Sequence, residues 1–198
     1  MDEMPQSGTG KTVMTTEPKF IPTEAVELPM EDMKAKVRLI DCVGFMVPGA
    51  GGHLENGQER LVKTPWFDYE VPFTKAAEYG TRKVIRDHST IGILVTTDGS
   101  FGEIPRDSYV EAEKRTVEEL TAIGRPFLVL LNSDRPYSKA TQNLAQNLTK
   151  EYHTTVMPVN CDQLRQEDIL DIMKNVLLEF PLSSVGFFLP KWVETLRD

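Results

Sequence analysis

Apolar residues along this chain fall into short runs of strand length separated by stretches with helical spacing. The runs at 91–97 ("IGILVTT") and 125–133 ("RPFLVLLNS") are almost continuously apolar, and a shorter run occupies 154–159. Such runs predict strands buried on both faces, as in a parallel sheet covered by helices. Two earlier runs, 20–28 and 35–43, also predict strands.

Helical spacing of apolar residues begins at Thr74 and recurs at 107–123, 138–152 and 166–180. Ser138 is a candidate N-cap for the third of these helices. Strands and helices that alternate in this way predict an α/β fold, with a mostly parallel sheet and helices on both faces. In such sheets, ligands bind at the carboxyl ends of the strands.

Residues 44–72 are rich in glycine and proline and predict a long irregular stretch. Structureless loops of this length are uncommon inside compact domains and often carry function.

The segment 7–20, "SGTGKTVMTTEPKF", contains Gly-Lys-Thr, which closes the phosphate-binding P-loop of many nucleotide hydrolases. A P-loop needs G-x-x-x-x-G-K-[ST] between a strand and a helix. Here Pro5 stands where the first glycine belongs, and proline has no N–H to offer a phosphate. Neither a preceding strand nor a following helix is predicted, so the segment is interpreted as a loop.

Asp41 follows a predicted buried strand, and Gly44 comes three residues later. A carboxylate in this place can hold a Mg²⁺-bound water, and a glycine lets its backbone N–H approach a γ-phosphate. Thr15 and Thr16 could reach the same ion from a loop, as in the switches of P-loop nucleotide hydrolases. Taken alone, D-x-x-G also fits an aspartate that starts a turn.

The run at 125–133 ends in "VLLNSDR", where GTPases carry N-K-x-D. Asn132 fits this motif, Ser133 replaces the lysine, and Asp134 comes one position early. Arg135 stands in place of the aspartate that accepts from guanine, and an arginine can only donate. We assign Asn132, Ser133 and Asp134 to nucleotide binding without guanine selectivity; a simple Asx turn is the alternative.

Composition narrows the choice of partners. The 198 residues carry a formal net charge of −8, which disfavours nucleic acid and anionic lipid as primary partners. The two cysteines, Cys42 and Cys161, suggest neither a disulfide framework nor a zinc site, and they favour a reducing, cytoplasmic compartment. No signal peptide and no apolar run of the ~20 residues that span a bilayer is predicted.

Several long segments together resemble the nucleotide-binding domain of the stage IV sporulation protein A family, which are cytoskeletal-like ATPases of endospore-forming bacteria, derived from GTPases. The resemblance spans nearly the whole chain. It rests on "GKTVMTTEPKFIP", "VRLIDCVGFMVPGA", "TPWFDYEVPF", "GTRKVIRDHSTIGILVTTDGS", "VLLNSDRPYS" and "FPLSSVGFFLPKWV".

The resemblance implies a three-layer P-loop NTPase-like fold and a site for ATP and Mg²⁺. Thr15 and Thr16 match the family's sensor threonines in switch I, needed for hydrolysis. Asp41 matches its Walker B-type aspartate, with Gly44 in switch II. Thr16 and Asp41 are thereby the expected metal ligands.

The resemblance also implies a biological setting. The family hydrolyses ATP to polymerise into a static layer around the forespore, on which spore coat proteins assemble. It lies in the mother cell cytoplasm and docks at the outer forespore membrane through a small anchoring protein.

The chain departs from the family pattern because Walker A is expected upstream, on a first strand and helix that are missing here. We therefore expect a fragment that binds ATP poorly by itself. Its predicted parts are a switch I-like loop at 1–19, a truncated ATPase domain at 20–182, and the start of a linker or next domain at 183–198.

Two other interpretations stay open: a non-enzymatic assembly or scaffold domain, and a GTPase-like binding module, against which Arg135 argues.

Arg82, Lys83 and Arg86 form a basic helix face near the switch segment. A solvated face explains them; the sharper hypothesis is that one of them reaches a phosphate or a neighbouring subunit.

Overall fold

A computed structural model of the chain describes residues 20–30, 33–42, 44–55, 57–64 and 66–180. Nine strands and four α-helices lie in these ranges. In chain order they are β1 (Phe20–Met30), β2 (Met33–Ile40), β3 (Leu54–Glu55), β4 (Gln58–Glu59), β5 (Leu61–Thr64), β6 (Phe67–Pro72), α1 (Phe73–Lys83), β7 (Gly92–Thr97), α2 (Val110–Ala122), β8 (Phe127–Asn132), α3 (Lys139–Tyr152), β9 (Val156–Val159) and α4 (Gln166–Leu178).

The centre of the fold is a parallel three-stranded sheet in the order β7-β8-β9. The middle strand β8 is apolar at five consecutive positions, and Leu128, Val129 and Leu131 are completely buried. Side chains of α2 and α3 pack on one face with Val129 and Leu131, while α4 packs on the other with Leu128. Burial on both faces explains why β8 has no alternation, and the predicted α/β fold with helices on both sides is confirmed.

Local signals place the third helix correctly. The Ser138 hydroxyl accepts a hydrogen bond from the Thr141 backbone N–H at 3.1 Å, which satisfies one of the free donors of the first turn. Ser138 is therefore the N-cap of α3, as predicted.

The first two strands differ from the expectation of a buried strand before Asp41. β1 and β2 pair with each other in antiparallel fashion as a separate ribbon, outside the parallel sheet. Along β2, half-buried Ala35 and Val37 alternate with exposed Lys36 and Arg38. Such alternation marks a strand covered on one face only.

The stretch 44–72 was predicted to be irregular, and this was wrong for part of it. It contains two small antiparallel pairs, β3-β4 and β5-β6, and β5-β6 packs against α1 through Val71, Phe73 and Ala77.

Within the described residues, no helix is long and apolar enough to cross a membrane.

Candidate functional site

A groove of about 630 Å³ separates the ribbon from the parallel sheet. Its walls include β2 from Ala35 to Ile40 and β7 from Gly92 to Val95. Leu39 and Val95, one on each wall, are 54% and 57% exposed. In the described part of the chain β2 pairs with β1 and β7 with β8, so each strand presents an unpaired edge. Unpaired edges of this kind are templates for an added strand.

Asp41 lies in the wall of this groove, directly after β2, and is exposed. Gly44 has a φ of 81°, in the left-handed region that glycine adopts without strain. A Cβ added to Gly44 would meet nothing within 4 Å, so the backbone angle, rather than lack of space, favours glycine here. Of the sequence-predicted pair, Asp41 lines the groove with an exposed side chain, and Gly44 follows three residues later in the chain.

A polar network joins the carboxyl ends of β7 and β8. The Asp98 carboxylate accepts hydrogen bonds from the Ser100 backbone N–H at 3.0 Å and the Thr141 hydroxyl at 3.0 Å. The Ser100 hydroxyl in turn accepts from the Asp134 backbone N–H at 2.9 Å. The loops after the two strands are thereby held together across the edge of the sheet where ligands bind in such folds.

Asn132, Ser133 and Asp134 follow β8 and play different parts in this edge. The Asn132 side-chain oxygen accepts from the Cys161 backbone N–H at 2.9 Å, which ties the end of β8 to the end of β9. Ser133 is fully buried, and its hydroxyl accepts from the Arg135 N–H. The Asp134 carboxylate is half-exposed and contacts the guanidinium of its neighbour Arg135 at 3.5 Å.

We predict that Asp98→Asn destabilises the fold by about 1–2 kcal/mol at pH 7, because hydrogen bonds to a charged acceptor are lost. Burial raises the pKa of Asp98, but bonds from Ser100, Ser133 and Thr141 outweigh burial and lower that pKa below its ordinary value. A depressed carboxyl pKa stabilises the native state above the unfolded pKa and loses this effect as the pH falls through the folded pKa.

Urea unfolding of both proteins between pH 7 and about pH 2 measures this effect, since the unfolded aspartate titrates near ~3.9. The difference in the free energy of unfolding between the two proteins should disappear as the pH falls through the pKa of Asp98 in the folded protein. Exposed Asp162, changed to asparagine, is the matched control. An equal stability of Asp98→Asn and the parent at pH 7 would contradict the assignment.

Thr15 and Thr16 lie outside the described residues, as do segments 1–19 and 183–198. Strand β7 lies between the two sets of predicted site residues. The groove with Asp41 runs along one edge of β7, and β8, which leads into Asn132, Ser133 and Asp134, pairs with the other edge.

Two of the three residues of the predicted basic face, Arg82 and Lys83, pair with carboxylates, while Arg86 lies after α1 in the π-helical turn Val84–His88. Arg82 contacts Glu119 at 2.6 Å, and Lys83 contacts Asp87 at 3.0 Å. Sequence reasoning missed the partner of Arg82 because it lies on α2, 37 residues away.

The donor set fits a nucleotide-bound Mg²⁺ better than a protein-only metal site. Among the described residues, no group of three or more His, Cys, Asp or Glu side chains could hold a metal ion. Mg²⁺ in nucleotide sites keeps several waters and is bound through one or two carboxylates plus substrate phosphates. A single accessible carboxylate, Asp41, at an open groove satisfies that requirement.

Comparison of the sequence with known proteins identifies relatives of this chain. The profile of the family described as "Stage IV sporulation protein A, ATPase domain" matches residues 1–181. Proteins named "Stage IV sporulation protein A" match the whole chain at 46% identity in Bacillus anthracis and Bacillus subtilis (strain 168). The protein of that name from Clostridioides difficile (strain 630) is 52% identical over 99% of the chain.

The chain spans about two-fifths of the length of these curated relatives, since the match covers 40% of each. No solved structure matches the chain significantly.

Proposed function

The chain belongs to the stage IV sporulation protein A family, and on that premise we propose that it supplies the Asp41 side of an ATP-hydrolysing site in a sporulation protein. The observation that carries this proposal is the groove between β2 and β7, with Asp41 in its wall. The family profile is described as an ATPase domain, and the described residues form the α/β sheet that such a domain needs.

In this proposal the groove receives a β-strand that pairs with the free edges of β2 and β7 and leads into a phosphate-binding loop. The curated relatives are long enough to hold such a segment, because the chain covers only 40% of them. Pairing on both sides would also remove two exposed edges, which are otherwise sites of unwanted association.

Each residue then has a distinct role. Asp41 would hold a water of the Mg²⁺ shell, and the Gly44 N–H would donate to the γ-phosphate. Thr16, with Thr15 beside it, would complete the ion's ligands and orient the attacking water. A bound Mg²⁺ would neutralise the negative charge that develops on the phosphates.

Asn132, Ser133 and Asp134 would border the base, at the ends of β8 and β9. Arg135 projects into solvent and can only donate, so it cannot accept from guanine N1–H, and ATP is the expected nucleotide. We extend the proposal to an ATPase domain at 20–182 that follows the loop 1–19, with a linker or next domain from 183.

For the whole protein we propose polymerisation into the layer on which spore coat proteins assemble. The protein would lie in the mother cell cytoplasm, held at the outer forespore membrane by a small anchoring protein.

Nucleotide binding tests the proposal. A segment of a curated relative that carries G-x-x-x-x-G-K-[ST] between a strand and a helix is fused in front of Met1, and the product is called the fused protein. A fluorescent ATP analogue with Mg²⁺ should bind the fused protein at least about tenfold more tightly than the chain alone, because the phosphate loop supplies most donors to the phosphates. Unlabelled ATP should displace the analogue, and GTP should compete poorly.

Three outcomes would contradict the proposal. Equal binding by both proteins would mean that residues 7–20 or another loop hold the phosphates. Preferential displacement by GTP would favour a GTPase-like module. No binding by the fused protein would favour a scaffold domain without nucleotide chemistry.

A further inference from the structure

Two ion pairs cross between α1 and α2 in a reciprocal pattern. On α1, Glu78 is followed four residues later by Arg82; on α2, Arg115 is followed four residues later by Glu119. Arg115 contacts Glu78 at 2.8 Å, and Arg82 contacts Glu119 at 2.6 Å. Each helix thus donates one cation and one anion, and the two guanidinium groups occupy defined positions between the helices.

Phe45 lies against both of these guanidinium groups. The Arg115 guanidinium carbon is 4.5 Å from the centre of the Phe45 ring, and that of Arg82 is 5.9 Å away. Both distances are within the range of cation–π attraction, which acts through the negative face of the ring. Phe45 is only 6% exposed although it belongs to an irregular segment.

Phe45 directly follows Gly44, which stands in the left-handed backbone region. The peptide between the two residues carries the Gly44 carbonyl and the Phe45 N–H, so a ring fixed at residue 45 restrains Gly44 from its C-terminal side. With φ at 81°, the Gly44 N–H then has a defined direction relative to this anchor. We propose that Phe45, clasped by Arg82 and Arg115, is a positioning residue that sets the Gly44 backbone for ATP hydrolysis. This inference rests on the proposed function for its catalytic part, but the clasp itself can be tested without nucleotide.

The clasp is tested by amide hydrogen exchange in this chain. Arg115→Gln removes one cation at the ring, and Lys114→Gln removes a neighbouring cation that pairs with Glu151 at 2.9 Å on the helix surface. We expect exchange at Gly44, Phe45 and Met46 to become about tenfold faster in Arg115→Gln and to stay unchanged in Lys114→Gln. Arg115→Lys, which restores a cation, should recover most of the protection. Equal exchange in Arg115→Gln and Lys114→Gln would overturn the clasp.

The positioning role is tested separately, in the fused protein. Phe45→Leu keeps an apolar side chain but loses the ring, and it should lower kcat about tenfold with KM for ATP within about twofold. Thermal unfolding of the variant confirms that it is folded. Faster exchange with an unchanged kcat would overturn the positioning role. If the parent fused protein hydrolyses no ATP, the proposed function fails, while the exchange experiment still decides whether Arg115 holds Phe45.

Discussion

Replacing Asp41 with alanine should lower kcat for ATP at least about a hundredfold in the fused protein, the range found when a group that acts on developing charge is removed. The physical reason is that, in the proposed site, Asp41 would act on the ion beside the phosphates, and among the described residues that line the groove it is the one carboxylate. Its exposure also means that it supports no packing, so the fold should survive the substitution. Phosphate release under saturating ATP and Mg²⁺ measures the effect.

Two controls separate the role of Asp41 from a general loss of acidic charge. Asp41→Asn keeps the size of the side chain but not its charge, and it should lose nearly as much activity as the alanine variant. Asp68→Ala removes an exposed carboxylate from β6 and should leave kcat unchanged. Normal turnover by Asp41→Ala would show that the carboxylate near the ion comes from another residue, and the site assignment would be wrong.

The sequence predicts the parallel sheet well because its signals are local. The apolar run in β8 is dictated by burial on both faces, and the Ser138 cap follows from a hydroxyl placed before a helical pattern. The hairpin β5-β6 could not be predicted in the same way. Its strands are short, exposed residues interrupt them, and its stability comes from packing on α1 through Val71.

In the candidate site, too, local sequence signals could be predicted and contacts made by the tertiary fold could not. Asp41 and Gly44 could be proposed from the sequence because a carboxylate and a glycine at a fixed spacing after a strand have a chemical use. The clasp on Phe45 could not be found, because it joins residues 45, 82 and 115, and only the fold brings them together. Opposite charges at i and i+4 on a helix predict ion pairs within that helix. Here they pair between α1 and α2 instead, and this depends on how the fold packs the two helices together.

Glu113 and Arg106 form the most deeply buried charge pair among the described residues. Both nitrogens at the end of the Arg106 guanidinium donate to the Glu113 carboxylate, each at 2.7 Å, and the Tyr152 hydroxyl donates to the same carboxylate. The Glu113 side chain is 1% exposed and that of Arg106 is 16% exposed. Burial raises the pKa of Glu113, but the hydrogen bonds from Arg106 and Tyr152 outweigh burial and lower that pKa. Glu113 is therefore charged in the folded protein.

Glu113→Ala should consequently destabilise the fold by about 3–5 kcal/mol, because Arg106 is left as a buried charge without its partner. That loss is a large part of the ~5–15 kcal/mol that holds an ordinary domain together. Urea unfolding followed by circular dichroism measures it. The exposed Glu118 on the same helix, changed to alanine, should alter stability by no more than about 0.5 kcal/mol.

A double variant decides whether the pair itself or the orphaned charge causes the loss. Arg106→Met with Glu113→Leu removes both charges and fills the space with apolar atoms, which is often close to neutral for stability. We expect the double variant to regain most of the stability that Glu113→Ala loses. If the double variant is as unstable as Glu113→Ala, then the ion pair also stabilises another part of the fold. That part would be the loop after β7, because Gly99 in this loop packs closely on the Arg106 backbone: a Cβ added to Gly99 would lie 3.0 Å from the Arg106 nitrogen. Arg106 also donates to Thr96 in β7, two residues before Asp98, so its loss would remove a contact where that loop begins.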